Sequence, residues 1–96
     1  MIRHTVVFSL HHPDGSGEEA AFLRSAARLA DIPGVQRFEQ LRQVGDQSGY
    51  RFSFSMEFED QDAYDAYSAH STHVDFVQTR WVPEVAHFLE LDFVPL

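Results

Sequence analysis

With 96 residues, a net charge of −8 and no cysteine, the chain is sized for one compact domain over residues 1–96 and excludes a disulfide frame, thiolate catalysis and cysteine-bound metal. Its 7 cationic side chains are all arginine and lie scattered, which argues against nucleic acid and against an anionic membrane surface as partners. No apolar run approaches the length of a membrane span and the first residues lack a signal-peptide pattern, so the sequence reads as a cytoplasmic protein.

Residues 2–10 alternate as a strand, with Ile2, His4, Val6, Phe8 and Leu10 on one face and Arg3, Thr5, Val7 and Ser9 on the other. His4 is the titratable member of a face otherwise made of hydrophobes. Pro13 and the Asp14-Gly15 and Ser16-Gly17 pairs stop the strand. A helix then begins at Ser16 or Gly17, with Glu18 and Glu19 where negative charge suits the dipole, and Phe22, Leu23, Ala26, Ala27, Leu29 and Ala30 form its apolar stripe. Ile32-Pro33-Gly34 ends it.

Residues 35–44 read as a strand near an edge, with Phe38, Gln40, Arg42 and Val44 opposite Arg37, Glu39, Leu41 and Gln43. Residues 45–49 form a polar hairpin loop. Residues 50–58 are the clearest strand: Tyr50, Phe52, Phe54, Met56 and Phe58 share one face, so that face needs helices over it. A helix capped in the acidic run 59–62 carries Tyr64 and Tyr67, and a second helical segment capped at Ser71 or Thr72 carries His73, Phe76 and Val77. The last strand, residues 85–94, sets Ala86, Phe88, Glu90, Asp92 and Val94 against His87, Leu89, Leu91 and Phe93.

This order defines an α+β chain, a ferredoxin-like βαββαβ sandwich whose four-stranded antiparallel sheet carries helices on one face. Val7, Leu41 and Leu89, mixed with Ser53 and Ser55, occupy the other face, which meets either solvent or a second copy in a two-fold homodimer.

The chemistry concentrates in residues 64–81, YDAYSAHSTHVDFVQTRW, where His70 falls at a helix junction and His73 in a first turn. The exposed N–H groups and dipole of such a turn disfavour imidazolium, which keeps His73 neutral and able to accept a proton. A bent helix pair brings the Tyr67 phenol near either ring. His4, His70 and His73 are the imidazoles a metal would need, but no HExxH pattern accompanies them, and neither metal nor cofactor is expected.

HTVVFSL at the start, IPGVQRFE after the first helix, SMEFED and above all AYSAHSTHVDFV resemble the Dabb family, the stress-responsive A/B barrel domains, across essentially the whole chain. The resemblance implies a dimeric α/β barrel of ferredoxin-like subunits, each with an apolar cavity between sheet and helices. It also implies, by likeness to plant cyclases that close linear polyketides by aldol chemistry, catalytic roles for His4, Tyr67 and His73. The family commonly has Pro after the middle histidine, where this chain has Ser71.

Strand and helix parity add Val6, Phe8, Phe52, Phe54, Met56 and Phe76 as a lining for a small hydrophobic ligand, with His70 beside them. Three function classes follow. One is a cofactor-independent enzyme, either a cyclase of carbonyl compounds or a monooxygenase of the related dimeric-barrel type. The others are a carrier that binds a small apolar molecule unchanged and a structural dimer whose core fills the hollow. Rings of His4 and His73 on opposite sides of the sheet would exclude shared proton chemistry.

Overall fold

Alternation of large apolar residues organises the sheet. The structure, a computed structural model, describes residues 1–45 and 47–96. Strand β1 (Ile2–Leu10) lies between β3 (Phe52–Phe58) and β4 (Val85–Phe93), and β2 (Gln36–Arg42) pairs with β3, giving the order β2-β3-β1-β4 with every neighbour antiparallel. His4, Val6 and Phe8 stand opposite Met56, Phe54 and Phe52 on one side and Asp92, Glu90 and Phe88 on the other. Because paired residues share a face, these side chains point together toward the helices.

Helix α1 (Gly17–Ala26) starts where the sequence reading set it. Ser16 Oγ accepts the N–H of Glu19, and the Glu19 carboxylate reaches back to the N–H of Gly15, a capping box displaced by one residue. A 3₁₀ turn (Ala27–Asp31) continues it and brings Leu29 into the core. Phe8, Phe22, Phe54 and Phe58 are fully or almost fully buried, the first three ring against ring and Phe58 against Tyr64 and Tyr67, each contributing about 1.5–3 kcal/mol of hydrophobic stabilisation.

Expected boundaries shift most in the second strand, which ends at Arg42 rather than Val44, and at the start of the third. Strand β2 begins with a bulge between Gln36 and Glu39, where Arg37 takes a left-handed backbone (φ 52°), and the expected alternation is regular only from Phe38 onward. Tyr50, expected inside β3, lies before it and packs against His87. The expected hairpin loop contains Asp46, which lies outside the described residues.

Helix α2 (Gln61–Ala69) is capped by the Asp60 carboxylate, which accepts the N–H of Ala63. Helix α3 (Ser71–Phe76) runs on through a π-helical turn (Val77–Trp81) and a last short turn (Val82–Glu84) into β4. Its cap corrects the sequence reading: neither Ser71 nor Thr72 caps it, because the His70 ring itself accepts the Thr72 N–H through Nδ1. On the far face of the sheet Leu41, Leu89, Leu91 and Phe93 are exposed. No helix among the described residues is long and apolar enough to cross a membrane.

Candidate active site

Between the helix-facing side of the sheet and the α3 segment lies a cavity of about 330 Å³. Its floor is Val6, Phe54 and Met56 from the strands, and Leu29 and Phe76 close it from the helical side. The π-helical turn and the residue after it supply Val77, Trp81 and Val82, while β4 supplies Phe88 and Glu90. Those two β4 residues are exposed, so the hollow opens along the edge strand.

His4, Tyr67 and His73 all border this cavity, the two imidazoles on the same side of the sheet. Tyr67 stands between them, its ring centroid 4.5 Å from that of His73 and 6.2 Å from that of His4. Of the remaining residues expected in the lining, Val6, Phe54, Met56 and Phe76 are there. Phe8, Phe52 and His70 are not. Phe8 is packed against Phe22, Phe52 and Trp81 at the other end of the sheet, and Phe52 borders a shallow groove with Leu23 and Gln40. His70, occupied as a helix cap, faces a surface groove with Pro33 and Thr72.

His73 sits in the first turn of α3, and its Nδ1 is 3.0 Å from the Ser68 carbonyl. A carbonyl only accepts, so Nδ1 carries the proton and Nε2 is left with its lone pair. Burial pushes the His73 pKa down from the ordinary histidine value, and nearby His4 adds to this, against an opposing pull from the Ser68 carbonyl and Glu90. The neutral form is thus the one present near pH 7. The sequence reading reached the same state by a different cause, the helix terminus, whereas desolvation dominates here.

Tyr67 is 2 % exposed, and its hydroxyl makes no hydrogen bond among the described residues. Burial first, and the charge of Glu90 second, raise its pKa well above the normal phenol range, so it remains a neutral O–H donor.

Sequence reasoning did not single out Tyr64 and Asp92. His4 Nδ1 lies 2.6 Å from Asp92 Oδ1 and 2.8 Å from the Tyr64 hydroxyl, and that hydroxyl donates to Asp92 Oδ2 at 2.8 Å. The Tyr64 ring is stacked on the buried Phe58, 5.1 Å between centroids and 3° from parallel. Burial and the Asp92 carboxylate raise the Tyr64 pKa, which keeps its proton in place. Two signals were readable: Tyr64 precedes Tyr67 by one helical turn and so shares its face, and Asp92 has the parity of Phe88.

A ferredoxin-like α+β sandwich enclosing a ligand-sized hollow with two imidazoles and a phenol is the class of protein these features define. The chain belongs to the Dabb family: the model of the Stress responsive A/B Barrel Domain matches residues 2–95.

Among solved structures, a Dabb family protein with a ferredoxin-like fold from Mesorhizobium loti is 57% identical, with a TM-score of 0.97 over 99% of this chain and 96% of that one. A dimeric ferredoxin-like protein of unknown function from Thermobifida fusca is 21% identical, with a TM-score of 0.80 over 98% and 90% of the two chains. A hydroxynitrile lyase from Passiflora edulis, 12% identical, has the same fold with a TM-score of 0.86 over 99% and 93%. None of the curated proteins matches the chain.

Proposed function

We propose that this protein is a cofactor-independent acid–base enzyme acting on a small hydrophobic carbonyl compound, with chemistry of the polyketide-cyclase or aldol type. One observation carries the reading: a neutral phenol donor lies between two imidazoles whose Nε2 atoms have no partner among the described residues, in a cavity that is otherwise largely apolar. His73 Nε2 takes the proton from the carbon beside the carbonyl. The electron pair moves onto the carbonyl oxygen, where Tyr67 O–H donates a hydrogen bond. His4 Nε2 offers a second acceptor on the other side of Tyr67, and Asp92 compensates positive charge arriving on that ring during proton transfer.

The size and wall chemistry restrict the substrate. At about 330 Å³ the hollow sits at the small end of ligand pockets, which run from about 300 to 1,000 Å³. General acid–base groups contribute about 10²–10⁴-fold each, enough for an activated C–H such as that of a β-dicarbonyl. The Passiflora edulis enzyme of the same fold indicates that this backbone serves an enzyme elsewhere, and at 12% identity it assigns no residue.

The same reading includes a homodimer formed through the far face of the sheet, supported by its exposed Leu41, Leu89, Leu91 and Phe93 and by the dimeric state of the Thermobifida fusca relative.

The test is deuterium exchange at the central carbon of an aryl β-keto ester, followed by proton NMR against a buffer blank. The protein is expected to exceed the blank, and His73→Ala to fold normally while losing the excess. An unchanged rate in that variant removes His73 from the mechanism. Saturable binding of the probe without any excess exchange would identify a carrier instead.

A further inference from the structure

Resting on the acid–base reading above, we propose that Asp92 and Tyr64 are positioning residues that lock His4 in its Nδ1–H tautomer, leaving the Nε2 lone pair for the cavity. Of the two neutral tautomers, only this one satisfies the proton count of the three-way contact. Asp92 as a carboxylate only accepts, and it has one oxygen on His4 Nδ1 and the other on the Tyr64 hydroxyl. If Nδ1 carries the ring proton, that proton meets Asp92 Oδ1 at 2.6 Å, with the Tyr64 oxygen 2.8 Å away as a second acceptor. The phenol proton then meets Asp92 Oδ2. Every donor has an acceptor.

The opposite tautomer breaks this closure. With the proton on Nε2, the Nδ1 lone pair faces a carboxylate oxygen at 2.6 Å, and only one phenol proton remains to bridge three acceptor atoms. At least one close acceptor–acceptor contact would be left without hydrogen, in a place where the His4 side chain is 8% exposed. The lock is itself held from two sides. Asp92 is fixed by strand register, as the direct partner of His4 across β1 and β4, and Tyr64 is fixed by its stack on Phe58. Helix α2 and the edge strand thereby converge on one ring nitrogen. The other nitrogen is the one the bordering cavity can use.

The tautomer is measurable without any turnover. In protein labelled with ¹⁵N at histidine, long-range proton–nitrogen correlation distinguishes the two tautomers, and the His4 signals are assigned by their loss in His4→Gln. In the wild type, Nδ1 is expected as the protonated nitrogen of the neutral ring; Nε2–H there overturns the proposal whatever the exchange assay gives. In Asp92→Asn, the amide oxygen is taken by the Tyr64 hydroxyl and the amide NH₂ faces Nδ1, so the tautomer is expected to invert.

Exchange of the β-keto ester is then expected to fall in kcat with KM nearly unchanged, by at most the about 10²–10⁴-fold that one general acid–base group contributes. Tyr64→Phe retains the carboxylate and is expected to keep the tautomer, with a smaller loss. An unchanged tautomer in Asp92→Asn, with the wild-type fold, overturns the lock. An inverted tautomer with unchanged exchange upholds the lock and removes His4 from the proposed chemistry.

Discussion

Tyr67→Phe separates function from folding at the centre of the cavity. The substitution removes one oxygen and leaves the ring that packs on Phe58 and His73. That hydroxyl has no hydrogen-bond partner among the described residues but is open to the cavity, so only part of the cost of an unsatisfied buried polar group, about 1–3 kcal/mol, applies. The cavity relieves part of this cost by admitting solvent or ligand, so the variant is expected to be unchanged or stabilised by about 1 kcal/mol. In a domain of this size such a gain raises Tm by about 4–8 °C. The effect on catalysis runs the other way. Loss of one donor to a developing oxyanion costs about 10²–10³-fold in kcat, or about 2.7–4 kcal/mol. Thermal melts and the deuterium-exchange assay on the same samples read both quantities. A variant that loses 2 kcal/mol or more of stability would show that the hydroxyl is bonded within the fold. Wild-type exchange in a stable variant would show that Tyr67 does not touch the reacting oxygen.

Two further outcomes follow from the site and the sheet. Because burial lowers the His73 pKa, below about pH 6.5 the unfolded chain binds protons that the native ring refuses. His73 therefore costs nothing above that pH and lowers stability as pH falls toward its native pKa, by at most about 1.4 kcal/mol per pH unit. Urea melts of wild type and His73→Gln at pH 7.5 and at descending pH are expected to show the wild type losing ground in acid; a constant difference refutes the desolvation argument. For the sheet face, Leu91→Lys places a charge in the middle of the exposed apolar patch. Sedimentation at micromolar concentration is expected to give a dimer for the wild type and a monomer for the variant, and a monomeric wild type rejects the interface.

The strands were legible where alternation was strict. In β1 and β3 one face is almost wholly large and apolar, so parity named the helix-facing side and the fold class followed from element order. Parity assigns a face but not a place along it. Phe8 and Phe52 share the face of the cavity, yet Phe22 of α1 fills the space at their end of the sheet, which depends on where that helix crosses. The sequence reading set a helix junction at His70 and put its ring beside the cavity lining. The junction is there, but from an extended backbone (φ −65°, ψ 138°) the His70 ring turns back to cap Thr72. The sequence reading gave Asp92 and Glu90 no role beyond their parity with Phe88 in the last strand, which the sheet order makes an edge. What sequence could not give was that this edge forms the mouth of the cavity.

That position explains how polar and apolar demands coexist in so small a hollow. The apolar walls, with Val6, Phe54 and Met56 below and Leu29 above, desolvate the Tyr67 phenol and the His73 imidazole and favour their neutral forms. The carboxylates stand on the edge strand: Glu90 borders the cavity, Asp92 lies against His4, and both are exposed, so neither bears the full cost of burial. Asp92 fixes the His4 ring, and the charge of Glu90 helps keep the Tyr67 phenol protonated. In the proposed chemistry a neutral phenol beside the neutral His73 ring can move a proton from carbon to nitrogen only when the carbon acid is already activated. A negatively charged rim also disfavours carboxylate ligands. For the proposed acid–base chemistry both conditions favour an uncharged, apolar carbonyl compound with an acidic C–H, the substrate class that the exchange assay probes.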